Sequence, residues 1–273
     1  MYKLPKLLIS LSAIVTSCVL SVLTMTHVSG KNLPATQESA WCYEPFLSDG
    51  TNQPLNTLKG GEGFGEPWKS GLFGGGYSLV RPMVQPSGLT YPGLRTQAGS
   101  VRAGAADALL MSQRPLPEEV KQSLTNGAVL YISVLMRPEG KLNEGALNGY
   151  FCAGLFGKSS AVFMGKPGAD RMDRYVVETQ GGMGQVASEV SPKIGETALL
   201  VMKVEIREGN DRITLFVNPT PGKPEPAAGV VKQDTDLGTL RGVALYSTGA
   251  HVVDELRIGG SFASVVPEDP SLR

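Results

Sequence analysis

Histidine chemistry has little support in this sequence. The chain contains two histidines, and His27 lies in an N-terminal segment that we expect to be removed. A Ser-His-Asp relay needs one histidine, so His251 with Asp254 and a serine is formally possible, but no Gly-x-Ser-x-Gly turn accompanies it. One histidine with two distant cysteines is not a usual set of zinc ligands. A lone histidine at the start of a strand is more often structural, and these residues indicate neither a serine hydrolase nor a zinc enzyme.

Aromatic side chains are the second group of residues with a possible chemical role. A glycan can be bound by exposed aromatic rings together with amides or acids, because a ring offers an apolar face and Tyr and Trp add a polar group. The candidates in this chain are Trp68, Tyr77, Tyr91 and Tyr150. The alternative for each of them is a place in the hydrophobic core, where large aromatic rings are common. Both interpretations stay open at this point.

The charge balance bears on the partner. The whole chain has 25 lysines and arginines against 25 aspartates and glutamates. Residues 1–30 contain Lys3 and Lys6 and no acid, so a chain that starts at Lys31 has 25 − 2 = 23 bases against 25 acids. A net charge this close to zero gives no electrostatic reason to expect a nucleic acid or an anionic membrane as partner.

Residues 1–30 have the organisation of a secretory signal peptide. Lys3 and Lys6 form a positive n-region, and residues 7–23 are almost wholly apolar or small. Residues 28–30 supply small side chains at the positions that a signal peptidase reads. The sequence therefore predicts cleavage near Gly30 and a secreted protein, extracellular or periplasmic, with a flexible polar leader over residues 31–40.

Two alternatives to ordinary cleavage stay open. Residues 15–18, Val-Thr-Ser-Cys, resemble a bacterial lipobox, which would make Cys18 a lipidated N-terminus. Against this route, residues 19–25 stay largely apolar after the cysteine. The other alternative is a retained membrane anchor, for which the apolar run is near the lower length limit of a span.

Cleavage near Gly30 leaves two cysteines, Cys42 and Cys152. In an oxidising compartment the two could form a disulfide bond. The closed loop would be long, so the entropic gain could reach ~4 kcal/mol in the chain-entropy model. The alternative is that Cys152 is a small buried hydrophobe within a strand.

The elements that must position these residues are strands. Residues 198–218 alternate in hydrophobicity on both sides of a Gly-Asn-Asp turn, which predicts an antiparallel β-hairpin. The root of this hairpin is apolar on both faces, as expected inside a stack of two sheets. Similar runs bring the total to about ten strands. They cover residues 41–46, 108–111, 128–137, 150–156, 161–164, 174–178, 242–246 and 251–258.

Helical signals are confined to one segment. Residues 117–124 begin with proline followed by two acids and end before Asn-Gly, which predicts one short helix. Many strands with few helices indicate an all-β fold, a two-sheet antiparallel β-sandwich. We expect one domain over residues 41–266 and a disordered tail over residues 267–273. Residues 51–106 are rich in glycine and proline and must contain short strands without clear bounds.

Several motifs carry a resemblance to a known superfamily. They are an opening Tyr-Glu-Pro-Phe strand, a glycine-rich segment that ends in Trp, and runs in later strands and loops, namely residues 43–46, 60–68, 136–140, 162–168, 217–222, 236–238, 253–259 and 261–263. The chain resembles laminin-G-like jelly-roll domains of the concanavalin A-like superfamily, frequent in secreted proteins of planctomycete-type bacteria. The resemblance implies that the first and last strands pair. It also implies binding of glycans or proteins, often through calcium or through aromatic residues on the concave sheet.

A calcium site is one consequence of such pairing. If the first and last strands are neighbours, Asp49 near the first could share an edge with Asp254 or Glu255 in the last. Calcium binds carboxylate and carbonyl oxygens, and these three acids are therefore candidate ligands. The alternative is that Asp254 and Glu255 bond to the backbone or to Arg257.

Glycoside hydrolysis is implied by other members of the superfamily. The glucanases among these members carry Glu-x-Asp-x-x-Glu on one strand, where side-chain alternation directs the acids into the substrate cleft. This sequence has no such run; its nearest acids are Asp170, Asp173 and Glu178, and Glu205 with Glu208. The sequence therefore favours a secreted, non-catalytic module that recognises an extracellular glycan or protein. An extracellular structural protein without a small ligand is the first alternative, and a glycoside hydrolase is the second.

Overall fold

The computed structural model describes residues 39–49, 52–70, 82–103, 110–144, 146–168 and 173–272. Within these residues the secondary structure is mainly strand, with short helices and 3-10 turns. The strands are β1 Cys42–Glu44, β2 Gln53–Pro54, β3 Lys69–Ser70, β4 Met83–Gln85, β5 Ser100–Ala103, β6 Leu110–Pro115, β7 Val129–Pro138, β8 Phe151–Gly157, β9 Ala161–Lys166, β10 Val176–Thr179, β11 Met183–Ala187, β12 Ala198–Glu205, β13 Asp211–Val217, β14 Val230–Thr235, β15 Leu240–Ser247 and β16 His251–Gly259.

The helices are short. Helix α1 spans Glu118–Ser123, as the proline and acid pattern predicted, and α2 spans Phe262–Val265, which the sequence did not indicate. Ser261 is the N-cap of α2, and its hydroxyl accepts a hydrogen bond from the N–H of Ser264. The 3-10 turns cover Leu55–Thr57, Ala146–Gly149 and Pro270–Leu272. In the part of the chain that the structure describes, no helix has the length and hydrophobicity of a membrane span.

The strands form two antiparallel sheets. Sheet A has nine strands in the order β14-β13-β12-β7-β16-β5-β4-β2, with β1 also paired to β16. Sheet B has seven strands in the order β11-β10-β9-β8-β15-β6-β3. The predicted two-sheet antiparallel β-sandwich is confirmed.

The hairpin predicted over residues 198–218 lies in sheet A. Strands β12 and β13 pair with Met202 opposite Leu215 and Val204 opposite Ile213. These alternate positions belong to the core between the sheets, whereas Leu199 and Val201 belong to a second apolar cluster on the other face. Both faces of the hairpin root are covered by apolar clusters, and its residues are therefore apolar on both sides instead of alternating with polar ones.

The first and last strands pair as the resemblance implied. Strand β1 lies antiparallel to β16, with Cys42 opposite Ile258 and Glu44 opposite Leu256. Strand β16 also pairs with β7, and the register shifts between Asp254 and Arg257. This bulge places Glu255 at φ 55°, a left-handed conformation that is uncommon for a residue other than glycine.

Three apolar clusters follow from side-chain alternation. The largest fills the space between the sheets. The second covers the outer face of sheet A, where Phe262 and Val265 of α2 pack against Leu135 and Leu199. The third lies on the outer face of sheet B and includes Tyr150, Phe156 and Phe163, with Tyr246 packed against it.

A buried ion pair joins the two sheets. Glu44 of β1 and Arg114 of β6 form a salt bridge in which both side chains are 0% exposed. The Glu44 carboxylate also accepts hydrogen bonds from the Phe46 N–H at 2.9 Å and the Trp68 indole at 3.1 Å. The Arg114 guanidinium donates to the carbonyls of Glu66 and Gly60, each at 2.7 Å. Complete pairing lets both charges lie inside the sandwich.

Two parts of the fold differ from the expectation. Strand β14 and the edge strand β11 had not been predicted, since neither alternates clearly. In the tail beyond Pro267, which the sequence predicted to be disordered, residues 268 and 269 pair with an upstream loop. Glu268 bridges to Leu94, and the N–H of Asp269 donates to the Gly93 carbonyl at 2.9 Å. These backbone contacts fix residues 268 and 269 against the loop that contains Gly93 and Leu94.

Replacing Arg114 should destabilise the protein strongly. The substitution Arg114→Met leaves the Glu44 carboxylate buried without its cation, and we expect a loss of about 3–5 kcal/mol in the free energy of unfolding. The double substitution with Glu44→Leu should lose less, because no uncompensated charge remains. Urea denaturation monitored by tryptophan fluorescence measures both values.

The control is an exposed ion pair of the same chain. Lys69 and Glu66 are 2.8 Å apart with side chains 53% and 56% exposed. Lys69→Met should change the free energy of unfolding by less than about 1 kcal/mol. An Arg114→Met variant no less stable than Lys69→Met would show that the buried pair does not hold the sheets together.

Candidate functional site

A pocket of about 150 Å³ lies on the outer face of sheet B. It is lined by residues of β10, β11, β15, the β10–β11 turn and the segments before β8 and after β9: Tyr150, Gly168, Glu178, Gly181, Gly182, Gln185 and Tyr246. We call it the Tyr150 pocket. Glu178 alternates with core residue Val177, so β10 directs this carboxyl away from the interior of the sandwich.

Two tyrosine rings form the apolar wall of the Tyr150 pocket. The centroids of Tyr150 and Tyr246 are 5.0 Å apart, and their planes meet at 72°. Beside the Tyr150 ring lies Cys152, whose Sγ is 2.8 Å from the Tyr150 hydroxyl. Phe163 of β9 is fully buried and packs behind this wall, with its centroid 6.3 Å from that of Tyr246. The pocket therefore presents an aromatic corner rather than a single flat ring.

A glycine makes room for the Phe163 ring behind the pocket. Gly154 of β8 lies opposite Phe163 of β9 in the sheet. A Cβ at position 154 would lie 2.7 Å from Cδ1 of the Phe163 ring. Only glycine leaves room for the ring to lie across the strand in this way.

An acid and an amide form the polar side. Glu178 is 2% exposed, and its Oε2 accepts a hydrogen bond from Gln185 Nε2 at 2.8 Å. Burial raises the pKa of Glu178 to about 7, opposed by the Gln185 amide, the positive charge of Lys232 and the Tyr150 hydroxyl. Near neutral pH this carboxyl populates both protonation states, so it can donate or accept a hydrogen bond.

The turn beside the pocket is held from the other sheet. Lys232 of β14 has a fully buried side chain, and its Nζ donates to the Gly184 carbonyl at 2.7 Å. The same Nζ is 2.6 Å from Asp234 Oδ1. Gly184 has φ 57°, and a Cβ there would overlap both partner side chains. Lys232 thereby positions the β10–β11 turn, which carries Gly181 and Gly182.

The predicted aromatic ligands have different positions. Tyr150 lines the pocket. Trp68 is a core residue, 1% exposed, with its ring 5.8 Å from that of Phe46. Tyr91 is half-buried on the outer face of sheet A, where its hydroxyl donates to the Pro219 carbonyl at 3.5 Å. Tyr77 lies outside the described residues.

Sequence reasoning missed Tyr246 and Gln185, and it considered Glu178 only as a catalytic acid. One signal was present for Tyr246. In the predicted strand over residues 242–246, core positions Val243 and Leu245 alternate with Ala244 and Tyr246, so a large aromatic falls on the outer face. Nothing in the sequence indicated that β11 would bring Gln185 beside Glu178.

Two of the three acids predicted to bind calcium, Asp254 and Glu255, accept hydrogen bonds from donors of the protein. Asp254 accepts the N–H groups of Leu89 and Glu255, each at 2.7 Å. Glu255 is also engaged, by the Tyr43 hydroxyl at 2.8 Å and by Arg257. Asp49 is exposed, and the described residues contain no group of three or more metal-binding side chains. These contacts are those of the alternative to calcium, in which Asp254 bonds to the backbone and Glu255 to Arg257.

Neither the histidine relay nor the disulfide is assembled. His251 is 0% exposed, stacks on Phe151 at 5.2 Å, and burial lowers its pKa to about 4. Its Nδ1 contacts the Gly249 carbonyl at 3.0 Å. Cys42 and Cys152 are both free and buried. Cys42 faces the core between the sheets and Cys152 the outer face of sheet B, so their side chains point to different layers.

Comparisons with known proteins give no family. No family model and no curated protein sequence matches the chain. The chain is similar to the solved structure of an endo-β-1,4-glucuronan lyase from the fungus Trichoderma reesei, with 10% identity and a TM-score of 0.41 over 72% of this chain and 96% of the lyase. It is similar to arcelin-5, a lectin-like defense protein from Phaseolus vulgaris, with 11% identity and a TM-score of 0.37 over 59% of this chain and 86% of arcelin-5.

A third similar structure is the binding domain of Botulinum neurotoxin serotype D. It has 9% identity and a TM-score of 0.42 over 82% of this chain and 48% of that chain. At these TM-scores the likenesses carry no argument about function.

Ionisation of the buried Glu178 carboxyl should lower the free energy of unfolding as the pH rises. Its pKa is about 7 in the folded protein against 4.5 ordinarily, so the unfolded chain loses this proton first. The free energy of unfolding of the wild type therefore falls as the pH rises from about 4.5 through about 7. Glu178→Gln, which has no carboxyl to ionise, should not show this fall. The variant should exceed the wild type by up to about 3 kcal/mol at pH 8, and by much less at pH 4.5.

Urea denaturation across this pH range measures the difference. Glu189→Gln, which neutralises an exposed glutamate, controls for net charge. Parallel pH profiles for the wild type and Glu178→Gln would contradict the raised pKa.

Proposed function

We propose that this chain is a secreted, non-catalytic module that binds an extracellular glycan in the Tyr150 pocket. The observation that carries the proposal is the aromatic corner of Tyr150 and Tyr246 beside the Glu178–Gln185 pair. Small-molecule sites combine a mainly apolar, aromatic wall with a few placed polar groups. A sugar ring has a C–H face that suits the wall and hydroxyls that suit a carboxyl and an amide.

The size of the pocket favours a small part of a larger ligand. Its volume of about 150 Å³ is below the ~300–1,000 Å³ common for sites that enclose drug-sized molecules. Glycines at positions 168, 181 and 182 place backbone rather than side chains at its border. A single sugar unit in the pocket, with the rest of the chain outside, matches this shape.

Hydrolysis is the less favoured alternative. Glycoside hydrolases use two carboxyl groups, about 5–10 Å apart. Among the described residues that line the pocket, Glu178 is the only carboxyl. Asp173 lies at another pocket with Arg174, and Asp170 is outside the described residues. A protein partner, or a structural role without a small ligand, would not require the acid beside the tyrosines.

Secretion is the other part of the proposal. It rests on residues 1–30, which lie outside the described part of the chain and have the composition of a signal peptide. We also propose that residues 41–266 form the functional domain after removal of that segment. Lipidation at Cys18 is the alternative route of export.

A glycan array tests the function directly. The purified chain from Lys31 should bind a restricted set of glycans, and calcium or chelator should make no difference. Tyr246→Ala should weaken binding about tenfold or more, equivalent to ~1.4 kcal/mol, because it removes one ring of the corner. Gln185→Ala should weaken it through the lost hydrogen bond.

Tyr91→Ala is the matched control, since it removes a half-buried tyrosine from the opposite sheet. It should leave affinity unchanged. Binding that survives Tyr246→Ala but is lost in Tyr91→Ala would move the site to sheet A. Silence across a broad array would overturn the glycan function.

A further inference from the structure

We propose that the Tyr150 pocket takes an ammonium group, so that its glycan is one that carries positively charged amino sugars. This inference rests on the proposed function and names the ligand class for the same site. It follows from three features of the pocket: the angle between the tyrosine rings, the buried acid beside them, and the placement of the nearby lysines.

The first feature is the aromatic corner. A ring face attracts a cation within about 6 Å of its centroid, and sites for ammonium groups commonly combine several rings at an angle. Tyr150 and Tyr246 stand 5.0 Å apart at 72°, so a small group in the pocket can contact both rings. A flat sugar face needs only one ring, whereas a compact cation gains from two.

The second feature is the acid. Glu178 is 2% exposed and lines the pocket together with the two rings. Its hydrogen-bond partners are neutral, the Gln185 amide at 2.8 Å and the Tyr150 hydroxyl. A buried carboxylate without a close cation is unfavourable, and an ammonium group in the pocket would supply that cation.

The third feature is the engagement of the lysines on neighbouring strands. Lys166 of β9 donates to the carbonyls of Asn148 and Pro167, at 2.6 and 3.1 Å. Lys232 of β14 binds Asp234 and the Gly184 carbonyl. Its positive charge lowers the pKa of Glu178, but by less than burial raises it. No basic side chain lines the pocket among the described residues. An acidic sugar would meet Glu178 with no compensating charge, whereas an amino sugar would complete the pair.

A consequence is that binding should release a proton. The pKa of Glu178 is about 7 in the free protein, and a bound cation favours the ionised carboxylate. Raising the pH therefore increases the affinity for a cation whose own charge does not titrate. The groups that act on Glu178 are the Gln185 amide, the Tyr150 hydroxyl and Lys232. The amide does not titrate, and burial raises the pKa of the Tyr150 hydroxyl well above its ordinary value.

Isothermal titration calorimetry on the chain from Lys31 tests the inference with three tetramers of equal length. They are β-1,4-linked glucose, N-acetylglucosamine and N,N,N-trimethylglucosamine, the last with a permanent charge. We expect the trimethylated tetramer to bind at least about tenfold more tightly than the glucose tetramer at pH 7.5. Its affinity should rise several-fold from pH 5.5 to 8, and its heat should vary with the ionisation enthalpy of the buffer.

Two variants separate the roles of acid and rings. Glu178→Gln keeps the shape of the side chain and should abolish the preference for the charged tetramer, its pH dependence and the proton release. Tyr246→Phe keeps the ring and should preserve the preference, whereas Tyr246→Leu should remove it.

The outcomes distinguish this inference from the proposed function. Binding of the neutral tetramers with equal or higher affinity overturns the ammonium site and leaves the glycan function standing. A charge preference that persists in Glu178→Gln also overturns the inference. If no tetramer binds and the array is silent as well, both proposals fail.

Discussion

The buried pair of Glu44 and Arg114 is the interaction on which the arrangement of the sandwich depends. Its partners lie in β1 of sheet A and β6 of sheet B, and burial of both charges is tolerated because every strong polar group finds a partner. The irregular segment between β2 and β3 supplies several of these partners, including the carbonyls of Gly60 and Glu66 and the Trp68 indole. A glycine-rich stretch without regular structure thus becomes ordered around one ion pair.

Two further kinds of buried acid occur among the described residues, beside the Glu44–Arg114 pair. Asp254 and Glu255 receive donors from Leu89, Tyr43 and Arg257, so their hydrogen-bonding capacity serves the bulge in β16. Glu178 interacts with the Gln185 amide and the Tyr150 hydroxyl and faces a pocket. The first arrangement stabilises a backbone conformation that is otherwise unfavourable. The second lowers stability at neutral pH, which is typical of residues kept for binding rather than for folding.

Both sheets contribute to the Tyr150 pocket, although its walls lie on sheet B. Lys232 extends from β14 of sheet A to hold the β10–β11 turn. Gly154 leaves room for the ring of Phe163, and Cys152 lies beside Tyr150. The pocket therefore depends on the packing of the sandwich, and a change far from the ligand, such as loss of Lys232, would alter its border.

Local patterns in the sequence determined much of the fold. Alternation in residues 198–218 specified the β12–β13 hairpin, and the proline and acids before Val120 specified α1, because these signals depend only on neighbours in the chain. Tyr150 was also among the candidate binding residues, because its aromatic type alone suggested that role. Tertiary structure alone decided that Trp68 is core, that Cys42 and Cys152 face different layers, and that Glu178, Gln185 and Tyr246 meet Tyr150. Those outcomes depend on the order of strands within both sheets and on how the sheets pack, and pairing between distant segments leaves no local pattern in the sequence.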